Sequence, residues 1–142
     1  MKTLKNITFS CILLLITYNT MYGQTNSFSL KGDITVPKNR GNIYIYLLDK
    51  GHFDQPNTGL DTIIINTGKV ILNYEFPNLP GGVYAIRCFQ DVNMNGKLDR
   101  GIFGPTEPWA MSWMGEKSFP PRFEDISFQL RGDKRIDLVL SK

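Results

Sequence analysis

Asp91, Asn93 and Asn95 place oxygen-bearing side chains at alternate positions, and Gly96 follows the third. A short loop wraps a hard cation in this way. Ca2+ takes about six to eight oxygens at about 2.3–2.6 Å, and alternate residues of a tight loop can all point inward. On this reading Asp91, Asn93 and Asn95 are the first three ligands, Lys97 offers its backbone carbonyl, and Asp99 binds directly or through a water. Gly96 permits the sharp turn because it has no Cβ to clash at positive φ. The twelfth loop position, a bidentate Glu in helix-flanked calcium loops, is Ile102 here. A further carboxylate must then come from Glu107, Glu124 or Asp125, or water completes the shell. The competing reading is an exposed Asn/Asp/Gly turn that binds no metal, since such side chains also bond their own backbone.

The loop needs an element to hang from. Val83-Tyr84-Ala85-Ile86-Arg87-Cys88-Phe89 runs straight into it and is β-branched and aromatic, so a strand precedes the loop rather than a helix. Upstream, Phe28 to Val36 alternates, Ile43 to Leu48 is apolar on both faces, and Asp61 to Ile65 and Lys69 to Phe76 follow as further strands. Two short strands, Ile126 to Leu130 and Ile136 to Leu140, close the chain. About seven short strands with no helix after residue 23 imply an all-β fold: two antiparallel sheets packed face to face, with Ile43 to Leu48 and Val83 to Gln90 the most buried. Arg131-Gly132-Asp133 reads as a hairpin turn.

Arg100 to Arg122 shows no clear strand. Connections this long are uncommon in compact domains and are usually functional when ordered. Ile102, Phe103, Trp109, Met111, Trp113, Met114 and Phe119 call for burial, so the segment is expected to fold over one end of the sandwich, with Trp109 or Trp113 largely buried. The alternative role for the two tryptophans is a sugar-stacking platform.

The first 23 residues have the layout of a cleaved export signal: Lys2 and Lys5, an apolar run from Ile7 to Ile16, and Gly23 before Gln24. The remaining residues, 24–142, suit one domain, and no transmembrane segment is expected after signal removal. The full chain of 142 residues carries sixteen basic against thirteen acidic residues; without Lys2 and Lys5 the balance is fourteen to thirteen. That leaves no basic stripe for nucleic acid. Residues 24–142 keep one cysteine, Cys88, which reads as a small buried hydrophobe and leaves no intramolecular disulfide. His52 is the only histidine and has no cysteine pair beside it, which argues against a zinc site and a serine triad. A glycosidase-type pair such as Glu107 and Glu124 is the remaining enzymatic option.

Leu79-Pro80-Gly81-Gly82-Val83-Tyr84-Ala85, then Asp91 to Asp99, then Gly104-Pro105-Thr106-Glu107-Pro108-Trp109, then Pro120-Pro121-Arg122-Phe123-Glu124-Asp125 occur in order. This series resembles the bacterial exported proteins of domain-of-unknown-function family 2141 (DUF2141). The resemblance covers nearly all of residues 24–142. It implies a small β-sandwich similar to prealbumin-like and carboxypeptidase-regulatory-like domains, and it implies no activity. Met94 departs from the pattern, where a small or polar residue is expected. The sequence thus points to an exported, non-enzymatic module of the periplasm or cell exterior. It would carry a structural Ca2+ and have an envelope protein or glycan as partner. The alternative is a carbohydrate-active or other hydrolase domain that uses acidic residues of the 100–125 segment.

Overall fold

Side-chain alternation in the strands becomes two faces of each sheet. The computed structural model describes residues 26–141. The expected export segment, residues 1–23, lies outside the described residues. In chain order the elements are β1 (Ser27–Thr35), β2 (Asn42–Leu48), α1 (Lys50–Phe53), β3 (Asp61–Asn66), β4 (Ile71–Pro80), β5 (Gly82–Asp91) and β6 (Arg100–Gly101). Then come β7 (Gly104–Pro105), β8 (Trp109–Met111), α2 (Phe123–Ile126), β9 (Phe128–Leu130), β10 (Lys134–Arg135) and β11 (Leu138–Val139). The fold is all-β, as expected, with two helices of a single turn each that the sequence did not announce.

In the first sheet β1 pairs antiparallel with β4, setting Leu30 opposite Phe76 and Ile34 opposite Leu72. The other edge of β1 takes β10 and β11, both parallel to it. This corrects the purely antiparallel expectation. The Arg131–Asp133 turn is not a hairpin: it carries the chain from β9 in one sheet to β10 in the other, where the new strand arrives running in the direction of β1. Carboxylates bridge the gaps in this short ladder, with Asp133 accepting the Ser29 N–H and Asp137 the Asp33 N–H, each at 2.8 Å.

The second sheet runs β3-β2-β5-β8, and β9 extends the same edge of β5 that β8 occupies. Ile43, Ile45 and Leu47 face Gln90, Cys88 and Ile86 across the β2–β5 ladder. The two sheets are open, and one core cluster draws Leu30, Ile34 and Phe76 from the first and Ile43, Ile45, Ile86 and Cys88 from the second. The expected burial of β2 and β5 holds: Ile43, Ile45, Leu47, Leu48, Ala85, Ile86 and Cys88 have no exposed surface. Each such large side chain contributes about 1.5–3 kcal/mol of burial.

Because period 2 sends alternate residues to opposite faces, the other face of β2 and β5 shows Tyr44, Tyr46, Leu48, Ala85 and Phe89. The long connection adds Met111 and the partly buried Trp109 and Trp113 to a second cluster on that face, and α2 just after it adds Phe123 and Ile126. The connection therefore lies on the sheet, not over one end, and it contains three short strands where none was expected. Its apolar residues are not all buried. Ile102 and Phe103 fill the turn between β6 and β7 and are 96% and 101% exposed, and Phe119 is 80% exposed. Trp109 and Trp113, of which one was expected to be largely buried, are both partly buried and packed against the second cluster.

Candidate functional site

β5 ends at Asp91, and its last two side chains go to opposite faces. Gln90 shares the inner face with Cys88 and is fully buried, and its Nε2 donates to the carbonyls of Lys38 (2.6 Å) and Arg40 (2.8 Å). That fastens the β1–β2 turn against the loop. Gly41 closes the turn at φ +85°, where a Cβ would sit 2.1 Å from the Asp91 carbonyl oxygen, so only glycine fits there. Asp91 is also fully buried. Its Oδ1 accepts the Asn95 N–H (3.0 Å) and its Oδ2 the Gly96 N–H (2.7 Å), curling the chain back over the strand end. The sequence placed Asp91 in an exposed loop; it is instead the buried base of that loop.

The remaining loop side chains meet one another. Asn93 Oδ1 accepts the Asn95 N–H (3.2 Å) and Asn95 Oδ1 accepts the Lys97 N–H (3.0 Å). The amide nitrogens of both asparagines donate to the Asp99 carboxylate, Asn93 at 2.7 Å and Asn95 at 3.0 Å. These amides, Asn95 foremost, hold the Asp99 carboxyl below its ordinary acidity range. The structure thus brings Asp91, Asn93, Asn95 and Asp99 into one hydrogen-bonded cluster, with the Lys97 backbone at its edge. Met94 and Gly96 take left-handed conformations, φ +59° and +79°. The oxygen-rich donor set suits a hard cation, but two carboxylates are all the charge the loop supplies. Among the described residues no three His, Cys, Asp or Glu side chains gather as a metal-holding group.

The three proposed sources of an extra carboxylate lie apart. Glu107 reaches the loop and is 6% exposed, but its oxygens accept the N–H groups of Val92 (2.8 Å) and Asp99 (3.2 Å). It staples the two ends of the loop together, and the Thr106 N–H to Asp99 carbonyl bond (2.8 Å) reinforces the closure. Glu124 pairs with Lys50 on the surface (3.2 Å). Asp125 accepts from Arg122 and Ser118, which hold its carboxyl well below the usual range.

Residues 34–137 match the model of a family described as an uncharacterized protein conserved in bacteria, DUF2141. The chain belongs to the DUF2141 family. No curated protein and no solved structure matches it. The matched span of this DUF2141 chain runs from the end of β1 to just before β11 and includes the whole loop.

The two other side chains weighed for chemistry in the sequence, His52 and Cys88, are respectively engaged and buried. His52 Nδ1 lies 2.7 Å from Asp49 Oδ1 at the start of α1. Burial in the core pushes the Cys88 thiol up to about 12, which keeps it a neutral, unreactive hydrophobe. Two residues with functional weight escaped the sequence reading. Ser112 is buried, accepting the Ile86 N–H (2.7 Å) and donating to the Ile126 carbonyl (2.7 Å), so it ties α2 to β5. Arg87 is a lone charge in the apolar run of β5, and that isolation was the available signal.

Proposed function

We propose that this DUF2141 chain is an exported, non-enzymatic binding module of the cell envelope. In this reading it is built as a two-sheet sandwich of the prealbumin-like or carboxypeptidase-regulatory-like kind. It holds one Ca2+ in the Asp91–Asp99 loop and meets an envelope protein or glycan. The observation that carries the reading is the convergence of Asn93, Asn95 and Asp99 above the buried carboxylate of Asp91. A half-turn of each asparagine amide exchanges nitrogen for oxygen on the side facing Asp99, since the two ends of an amide have the same shape. The exchange gives up the Asn93 and Asn95 turn bonds, so the metal's gain is net of them. The shared core of the two sheets supports the sandwich. The hydrolase alternative has less support, because Glu107, Glu124 and Asp125 are all engaged in hydrogen bonds or ion pairs that hold the fold.

The test is a thermal melt in EDTA, then in millimolar Ca2+ or Mg2+. With two charged ligands a Kd on the order of 10⁻⁴ M is expected, and about 2 mM Ca2+ then stabilises by RT ln 21, about 1.8 kcal/mol. That raises Tm by several degrees for a domain of this size. Mg2+ does less, because it releases its waters reluctantly. Asn93→Ala, on the exposed side of the loop, abolishes the shift. Equal melting temperatures in all three conditions refute the calcium reading and leave the loop a hydrogen-bonded turn.

A further inference from the structure

Arg87 points from β5 to the same face as Phe89 and Asp91. Its guanidinium lies 5.6 Å from the centre of the Tyr46 ring and donates to three backbone carbonyls: Phe53 (3.2 Å), Gln55 (2.8 Å) and Thr58 (3.3 Å). These use three of its five N–H groups. All three acceptors are neutral. Among the described residues Arg87 and Arg100 have no carboxylate partner, as is also true of Arg40 and Arg131, but of these four arginines only Arg87 and Arg100 line one cavity together. A half-buried guanidinium is costly to leave without a counter-charge. Burial and the neighbouring Arg100 both push the charged form of Arg87 toward losing its proton, while Tyr46 opposes them. Two cations held near each other without an acid are a site arranged for an anion.

The surroundings say what kind. A concavity of about 210 Å3 is lined by Arg87 and Arg100 together with Tyr46, Phe89 and Leu98. A smaller cavity shares Arg87, Leu98 and Arg100 and adds Trp109 and Phe119. The Phe119 ring stands 80% exposed at this rim, and the half-buried Trp109 lies beside it. Arg87, with both Nη2 hydrogens taken, has only single N–H groups left for a carboxylate, whereas the exposed Arg100 guanidinium can offer a paired, planar edge, and exposed aromatic faces take flat rings.

We propose that this groove binds a carboxylate carried on a flat-faced ring, with the carboxylate between Arg87 and Arg100 and the ring against Phe119 and Trp109. An acidic sugar and an aromatic acid share that chemistry. The proposal rests on the binding-module reading, for which it names the ligand class, and it does not require calcium.

The test titrates the protein in EDTA with D-glucuronate, benzoate, D-glucose and acetate. Binding is followed by the Trp109 indole and Arg87 Nε signals in 1H–15N spectra. Glucuronate or benzoate should bind at least about tenfold more tightly than both glucose and acetate, the stronger of the two acids identifying the ring type. Arg100→Gln should weaken that binding about tenfold, one charged hydrogen-bonded contact, and Phe119→Ser should weaken it without affecting acetate. Both residues are exposed, so these variants keep the fold, whereas Arg87 also holds the 53–58 connection. Absence of binding up to about 20 mM, equal binding of glucose and glucuronate, or unchanged affinity in Arg100→Gln overturns the proposal. Such a failure leaves the calcium melt intact as an independent test of the loop, and a flat calcium response leaves the groove intact.

Discussion

Removal of the Glu107 carboxylate should loosen the loop from the strand that carries it. Glu107 accepts one N–H from each end of the loop, Val92 at 2.8 Å and Asp99 at 3.2 Å, and is 6% exposed. Hydrogen bonds to a charged group contribute about 1.5–3 kcal/mol each, and the lower value applies here because both donors are only partly buried. Glu107→Ala frees both N–H groups and should cost about 3 kcal/mol, or roughly 10 °C in Tm for a domain slightly over a hundred residues. Glu107→Gln keeps one acceptor oxygen but turns an NH2 toward the other donor, and should cost about half as much. Urea unfolding is the assay, with the midpoint falling at unchanged slope because the core is untouched. If Glu107→Ala stays within about 0.5 kcal/mol of the parent in EDTA, the staple reasoning is wrong. If it then also loses the calcium response, Glu107 is a metal ligand.

Three further outcomes follow from local geometry. Met94 sits at φ +59° and is 66% exposed, so Met94→Asn should stabilise by about 0.5 kcal/mol in a urea titration, since asparagine tolerates the left-handed region and little packing is lost. Ser112→Ala strands the buried Ile86 N–H and Ile126 carbonyl and should cost about 1–3 kcal/mol by the same titration. Cys88 has its folded pKa raised from the ordinary value of 9.0 to about 12, so its contribution is whole below about pH 9 and is lost as pH rises toward 12. Stability should fall by about 1 kcal/mol between roughly pH 9 and 10, before Tyr74, also raised by burial, adds its own loss. Cys88→Ala should flatten that slope.

Much of the fold was legible because long strands leave a period. β4 alternates buried and exposed from Leu72 to Phe76, and β2 is apolar on both faces because both faces are covered. β6, β7, β10 and β11 are two residues each, too short to show any period, and nothing in such a pair separates parallel from antiparallel pairing. Composition misjudged Ile102 and Phe103, because a two-residue turn points its side chains outward whatever their hydropathy. The loop motif located the cluster, but a motif carries no burial. It therefore missed that Asp91 is the base of the loop and that Glu107 closes it from fifteen residues away. Glu107 was singled out as one of three extra ligands and as half of a glycosidase-type pair, never as the residue that closes the loop. Arg87 was passed over because an apolar run is read by its majority.

The loop and the groove share one strand face, with Asp91 and Arg87 four residues apart on β5 and therefore about 13 Å apart. A doubly charged ion at one end and a carboxylate at the other attract by about 0.6 kcal/mol in water at that distance. Physiological salt, with a screening length near 8 Å, removes most of that. Calcium should therefore tighten the ring acid by less than about twofold, and the ring acid should tighten calcium by the same factor, since coupling between two binding sites is reciprocal. Titrating glucuronate or benzoate in EDTA and again in about 2 mM Ca2+ measures it. A tenfold coupling would be about 1.4 kcal/mol, more than the charges supply. It would require the Leu98–Arg100 stretch to change position when the loop binds its ion, making that stretch a moving part rather than a fixed wall.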